Sequence, residues 1–411
     1  MKKGWILFLV GIAFVSSGLF LLYQDEEALK QEKRRQEVAL EEKRQAIKES
    51  YGFKVKTIKE SSLYQKEGEE YQKIGTVGEG VSFSLEDLVD DSGYFQIKDT
   101  PYYFYYEEVR PSEEIEEEKR YLNYIPFSLL IHTKKGASYY QEDGTFLFTL
   151  LSGIKARVIE QDDDFYFFSY FDRLVKVAKN EVEEVEGVEG EDPIALSIPV
   201  LNYHFIYLDG DTSCQESICH SEEQIRSHFS YLKDIGAFTI TTKELEKFIK
   251  GQIQLPQPSI LITIDDGARA ENFLPFLEEY GLHATLFLVT SWYPKDMFAS
   301  PYLELASHTH NLHTVGVCPG GQGSEIRCLG EEEIQEDLKL SRETLENTTA
   351  FCYPFYEYND YAIAQVKKAG FTIGFIGGSS NVTTSTNPYL IPRYPIQSTT
   401  GISFLENLFK E

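Results

Sequence analysis

The chain has 411 residues, enough for two or three domains, and a formal net charge of −27. That excess of carboxylates argues against nucleic acid or an anionic membrane surface as a charge-driven partner. Aromatic residues make up 14% of the sequence, with 27 Tyr and 28 Phe, so it is not a disordered acidic chain.

In chain order, Lys2 and Lys3 precede residues 4–23, an uncharged run long enough to cross a bilayer. Residues 1–23 are therefore expected to be a transmembrane signal anchor in the cytoplasmic membrane, with the lysines inside and the remainder outside. A cleaved signal peptide is the rival. The apolar run continues through Leu19–Leu22, however, and no small-x-small site follows it. Residues 24–50 are rich in Glu, Lys, Arg and Gln and read as a charged, solvated helical stalk without a wide apolar face.

From 51 to 187 the pattern changes to short β-type runs separated by Gly, Asp and Ser. Gly93–Val109 and Asp164–Val182 read as copies of one another: strand, tight turn, strand, then a closing Glu-Val. The copies resemble the end of a bacterial SH3-like barrel, and Gly153–Glu160 resembles an earlier strand of that unit. The resemblance implies two small β modules, at 54–111 and 121–187, joined by the acidic linker Pro111–Lys119. The acidic stretch Glu183–Pro193 then reads as an interdomain linker.

From residue 194 to 411 strands alternate with helices, which calls for a largely parallel sheet, open or closed into a barrel. Ser259–Thr263 and Ile264 form an apolar, β-branched run that stops on Asp265, Asp266 and Gly267. Alternation along a strand sends the two carboxylates to opposite sides, which gives them separate tasks. A helix N-cap is the plainer reading of an Asp at such a turn. Against it stands position: His204, Asp265 and Asp266, His308, and Tyr353–Phe355 each end a different strand. Open parallel sheets and barrels carry their chemistry at those carboxyl ends. One Asp with two His is also a suitable set for a divalent metal with open positions. Within Ser307–His313, the pairs His308 with His313 and His310 with His313 both remain open as metal ligands, the second if a helix starts at Thr309.

Cys214 with Cys219 and Cys318 with Cys328 are close enough in sequence to close local loops, as suits an oxidising exterior. Reduced thiols fit the spacing equally well. Cys352, in an apolar run, reads as buried.

Three segments resemble the NodB-like polysaccharide deacetylases, carbohydrate esterase family four. Thr263–Gly267 is similar to that family's Thr-Phe-Asp-Asp-Gly motif. His308–His313 is similar to its His-Ser/Thr-x-x-His motif, stretched by one residue. Phe351–Asn359 is similar to its Arg-x-Pro-Tyr region. Pro199–His204 and Leu255–Pro256 bring the resemblance closest to the branch acting on poly-N-acetylglucosamine. The resemblance implies an irregular (β/α) barrel over 194–411, α/β in class. It implies Asp265 as general base, a divalent metal (zinc first) on Asp266, His308 and His313, and an oxyanion donor in the backbone N–H of Phe355. Two positions depart from the family: Cys352 stands where its Arg falls, and its C-terminal Leu-x-His-Asp segment has no counterpart.

Arg393, a lone Arg in the apolar run Leu390–Pro395, is expected to take the missing guanidinium's place beside Asp265; a surface Arg on an edge strand is the alternative. His204 is expected to be the general acid. Among the eight histidines only it and His310 remain near the mouth, and only His204 ends a strand of the opening motif, as the resemblance also implies. A histidine bonded to a backbone carbonyl is the competing reading. The expected activity is removal of acetyl from N-acetylglucosamine in a wall glycan or peptidoglycan, outside the membrane. A catalytically silent wall-binding protein and a carbohydrate O-acetyl esterase are the alternatives.

Overall fold

The computed structural model describes residues 27–47, 49, 53–86, 92–112, 119–190, 192–208, 210–211, 213–214 and 216–409. The expected anchor at 1–23 lies outside the described residues. Among the described residues no helix is long and apolar enough to cross a membrane. Two compact units result: Met1–Lys119 with Leu129–Val158 and Asp163–Gly187, and Arg120–Ser128 with Ile159–Asp162 and Val188–Glu411.

The first unit opens with a helix at 27–47. It is not solvated all round. Leu40 and Ile47, one stripe two turns long, are buried, and Lys43 Nζ donates to the Tyr106 carbonyl at 2.5 Å. The rest of the unit is all β and internally duplicated. In the first copy, strand Lys54–Thr57 pairs antiparallel with Ser82–Ser84 on one side and Val109–Pro111 on the other. In the second, Leu129–Thr133 pairs in the same way with Lys155–Arg157 and Val182–Gly187. Each copy then adds a hairpin, Tyr94–Gln96 with Tyr102–Tyr105 and Phe165–Tyr170 with Arg173–Ala178, followed by a single 3-10 turn. The copies share one sheet: Glu70–Val77 pairs with Phe146–Leu150, placing Thr76 against Thr149 with their hydroxyls 2.9 Å apart. Alternation sends Leu63, Phe95 and Phe104 into the first core and Tyr139, Phe168, Val175 and Val177 into the second.

Residues 120–128 and 159–162, which sequence reading placed within the β region at 51–187, pack with the second unit instead. Arg120 pairs with Glu244 at 2.7 Å, Tyr124 donates to Glu244 at 2.9 Å, and Lys247 pairs with Glu160 at 2.8 Å. Such polar anchors leave no hydrophobic periodicity for a sequence pattern to report.

The second unit is built on seven parallel strands: β1 (Val200–Tyr203), β2 (Ser259–Asp266), β3 (Ala284–Leu288), β4 (Leu303–Ser307), β5 (Ala350–Cys352), β6 (Ile373–Gly377) and β7 (Ile391–Pro395). β1 pairs with both β2 and β7, so the sheet closes into a barrel. Helices cover it: α1 (Glu222–Asp234), α2 (Thr242–Ile249), α3 (Leu274–Tyr280), α4 (Glu331–Thr344), α5 (Asp360–Lys368) and α6 (Ile402–Leu408). Thr241 and Glu244 form a full capping box at α2. At α1, Ser221 accepts from the Gln224 N–H, but the Gln224 side chain turns elsewhere. Ile260, Ile262 and Ile264 pack in the cluster that includes Phe229, Phe273 and Leu277 of the helical layer. Their neighbours alternate into a second cluster within the barrel, where Leu261 meets Val200, Phe287, Ala306, Cys352, Phe375 and Ile391. The carboxyl ends of all seven strands open at one mouth.

Candidate metal and catalytic centre

The same alternation that buries Leu261 and Thr263 carries Asp265 into the top of the barrel, where it is 2% exposed. A lone carboxylate there would be costly to ionise. Arg393, fully buried on β7, meets it with two hydrogen bonds, Nη1 to Oδ1 at 2.6 Å and Nη2 to Oδ2 at 2.8 Å. The guanidinium also donates to Thr263 Oγ1 at 3.1 Å and lies between the Phe287 and Tyr356 rings, each centroid 5.3 Å away. Burial alone pushes the Asp265 pKa up; the Arg393 charge and hydrogen bonds more than offset it, and the net direction is down.

Cys352 flanks the pair. Its thiol, fully buried, sits 2.9 Å from Arg393 Nη2 and 3.7 Å from Asp265 Oδ2. Burial raises its pKa, so it stays a neutral thiol. Asn202 completes the setting by donating to Asp265 Oδ2 at 3.1 Å and to the Tyr356 hydroxyl at 2.5 Å. Tyr356 lies against Gly377, where a Cβ would come within 2.7 Å of the ring.

Asp266 faces away from that pocket, helped by a left-handed backbone at φ 76°. Its Oδ1 is 3.4 Å from His308 Nε2 and 3.3 Å from His313 Nε2, and the two imidazole nitrogens are 3.1 Å apart. His308 Nδ1 is 2.9 Å from the Cys352 carbonyl, an acceptor only, so Nδ1 carries the proton and Nε2 presents a lone pair. A carboxylate oxygen and two imidazole nitrogens at mutual distances of 3.1–3.4 Å fit a small divalent cation on one face. The carbonyl behind His308 is the orienting partner that metal-bound histidines usually have.

His310 lies elsewhere, with Nδ1 2.9 Å from Thr290 Oγ1. The loop that separates it from the pair is pinned by Asp337 of α4, which accepts from the backbone N–H groups of His310 at 2.8 Å and Asn311 at 2.7 Å. No helix begins at Thr309; that residue has φ 76°. Past His313, Glu325 accepts from Thr314 N–H at 2.9 Å, and a disulfide between Cys318 and Cys328 closes the loop. Cys214 and Cys219 form a second disulfide. Phe355, also left-handed at φ 59°, sets its ring 4.5 Å from that of His313. Trp292, 45% exposed, lies edge-on to His313 at 5.0 Å.

His204 directly follows β1, with its Nδ1 buried and without a hydrogen-bond partner. Burial lowers its pKa, opposed by the charges of Asp265 and Asp266. Asn202, Asp337, Tyr356 and the Cys352 thiol were missed in the sequence. Only Asn202 left a signal: it is two residues before His204 in the opening motif, with the parity that points into a barrel.

The geometry predicts metal content directly. His308→Ala and His313→Ala are expected to lose zinc, and His310→Ala to keep it, on metal analysis of the purified chains. Zinc retained by His308→Ala would refute the three-ligand assignment.

Residues 252–374 match the polysaccharide deacetylase family model. A poly-beta-1,6-N-acetyl-D-glucosamine N-deacetylase of Staphylococcus aureus is 28% identical over 225 residues, covering 47% of this chain and 76% of that protein. Among solved structures, a de-N-acetylase from Aggregatibacter actinomycetemcomitans aligns with TM-score 0.44 and 23% identity, over 51% of this chain and 99% of that one. A Streptococcus pyogenes deacetylase solved with acetate aligns with TM-score 0.43 and 17% identity, over 52% and 99%. His204, just past β1, and Arg393, on β7, fall outside the span of the family model. Within that span lie the strand ending in Asp265 and Asp266, the His308–His313 loop and the turn at Phe355, so the part of the chain that is similar to polysaccharide deacetylases contains the candidate centre.

Proposed function

We propose that the chain is a metal-dependent N-deacetylase that removes acetyl from N-acetylglucosamine units of a wall glycan or peptidoglycan outside the cytoplasmic membrane. The observation that carries this reading is the convergence of Asp266, His308 and His313 beside the buried Asp265–Arg393 pair. The named activity of the staphylococcal relative supports a glycan of N-acetylglucosamine as substrate. Residues 4–23 serve as the anchor, and the two disulfides suit an oxidising exterior. The duplicated β unit is read as a pair of SH3-like modules that keep the enzyme at the wall.

Asp266, His308 and His313 would hold the cation, zinc first, which would supply Lewis acidity at this position. Asp265, kept ionised and aimed by Arg393, takes the proton of the attacking water. The backbone N–H of Phe355 donates to the oxygen on which negative charge develops. The C–N bond then breaks, and His204 gives its proton to the departing nitrogen, since an amide anion is too basic to leave. The products are acetate and a free glucosamine amine.

The test is incubation of the full chain, with zinc, on peptidoglycan, wall polysaccharide and poly-N-acetylglucosamine, measuring acetate and new amine together. Both in equal amount are expected. Acetate without amine would make the protein an O-acetyl esterase, and neither product would leave a silent wall-binding protein.

Arg393→Lys is expected to lower kcat by about tenfold or more, because one ammonium does not replace two parallel N–H donors. Native kcat in that variant would remove Arg393 from the machinery.

The pH profile follows from the signs of the shifts. Asp265 must be ionised, and its lowered pKa moves the acid limb below the ordinary carboxylate value of 3.8. His204 must be protonated, and its lowered pKa moves the alkaline limb to the acid side of 6.5. The profile of kcat/KM is expected to peak in mild acid, and His204→Ala to lose the alkaline limb with metal content unchanged. An alkaline limb that persists in His204→Ala would assign the acid to another group.

A further inference from the structure

Behind His204 lies a second histidine that the reaction as written does not use. His220 is fully buried, and its Nε2 has no hydrogen-bond partner. It stands on the strand Cys219–Ser221, which pairs in parallel with Phe205–Tyr207 so that His220 is opposite Ile206. His204 immediately precedes the strand Phe205–Tyr207, beside the strand pair that carries His220, and its charge acts on the His220 ring. The His220 ring also packs edge-on to Tyr203, centroids 5.2 Å apart.

The protonation of His220 can be read from its neighbours. The Gln224 amide nitrogen donates to two carbonyls, those of Gln397 at 2.7 Å and Thr400 at 2.8 Å. Its Oε1 is therefore the atom turned to His220, 3.1 Å from Nδ1. An oxygen there accepts, so His220 Nδ1 carries the proton. Burial, aided by the charges of His204 and His228, pulls the His220 pKa down to about 4, so the ring is neutral. A neutral ring protonated on Nδ1 leaves Nε2 as a bare acceptor. A buried acceptor without a donor is costly, and the neighbouring His204 has a buried nitrogen, Nδ1, that also lacks a partner.

We propose that His220 is a positioning residue: its Nε2 accepts, across one bridging water, the Nδ1 hydrogen of His204 and so turns His204 Nε2 toward the substrate. The inference rests on His204 being the general acid only for its effect on rate; the hydrogen bond itself does not depend on that role. Gln224 is the anchor. Its side chain, freed from the helix cap it would ordinarily close, fixes one histidine so that this histidine can fix the next.

The test uses the full chain labelled with 15N-histidine. In the unsubstituted protein His220 is expected to be the Nδ1-protonated tautomer, and His204 to be protonated on Nδ1; a His220 protonated on Nε2 would overturn the proposal without any variant. His220→Phe keeps the ring and removes the acceptor. It is expected to return His204 to a mixture of tautomers and to lower kcat about tenfold or more, with KM and zinc content unchanged. His220→Gln, which can place an amide oxygen near the Nε2 position, is expected to restore most of the rate. An unaltered His204 tautomer in His220→Phe would refute the proposal. Failure of the general-acid reading shows separately, as native kinetics in His204→Ala beside an intact nitrogen signature.

Discussion

The buried pair between Asp265 and Arg393 is the constraint on which the mouth of the barrel depends. A carboxylate and a guanidinium, each almost without solvent, are stable only while both stay satisfied; removing either leaves an uncompensated charge costing about 3–5 kcal/mol. Asn202, Thr263, Cys352 and Tyr356 touch one or both members. They come from β1, β2, β5 and the turn after β5, while the pair itself joins β2 to β7. The interaction that holds the proposed base therefore also ties together the strands that close the barrel.

Division of labour between two adjacent carboxylates follows from geometry more than from chemistry. Asp265 continues the inward parity of β2 and is held by a cation of the protein. Asp266 departs from the strand at φ 76° and faces two imidazoles. Left-handed backbone recurs at Thr309 and Phe355, on the other two turns that bound the site. Such conformations cost free energy and persist only where surrounding contacts hold them. Here Asp337 supplies contacts for the histidine loop, and Glu357, which accepts from Ser324 N–H at 2.9 Å, ties the turn after Phe355 to the disulfide-closed loop.

Much of the second unit was legible because its strands are continuous apolar runs ended by polar residues. Asp265, Asp266, His204 and His308 stood out by position alone, and Arg393 by being the one cation in an apolar segment. Less was legible where the determinants are far apart in sequence. Asp337 reaches the histidine loop from the middle of a helix whose charged pattern looks wholly solvated. Tyr356 depends on the absence of a side chain at Gly377. Closure of the sheet rests on β1 meeting both β2 and β7, which no local period encodes. In the first unit the duplicated hairpins were visible as repeated aromatic alternation. The strand pair joining the copies was not, since Gly75 and Thr76 carry no apolar signal; Gly75 is there because a Cβ would come within 2.1 Å of the Thr149 carbonyl.

That junction has a consequence for how the β unit is inherited. A sheet edge is a row of unpaired amides and carbonyls, and each copy covers the other's edge through Glu70–Val77 and Phe146–Leu150. The tandem is in effect a dimer whose partners are spliced into one chain, with the effective concentration of the second supplied by covalent connection. Neither half is a free-standing cassette. A recombination event that moved one copy alone would carry off an exposed edge and leave another behind, so the pair is the smallest piece that moves without opening one.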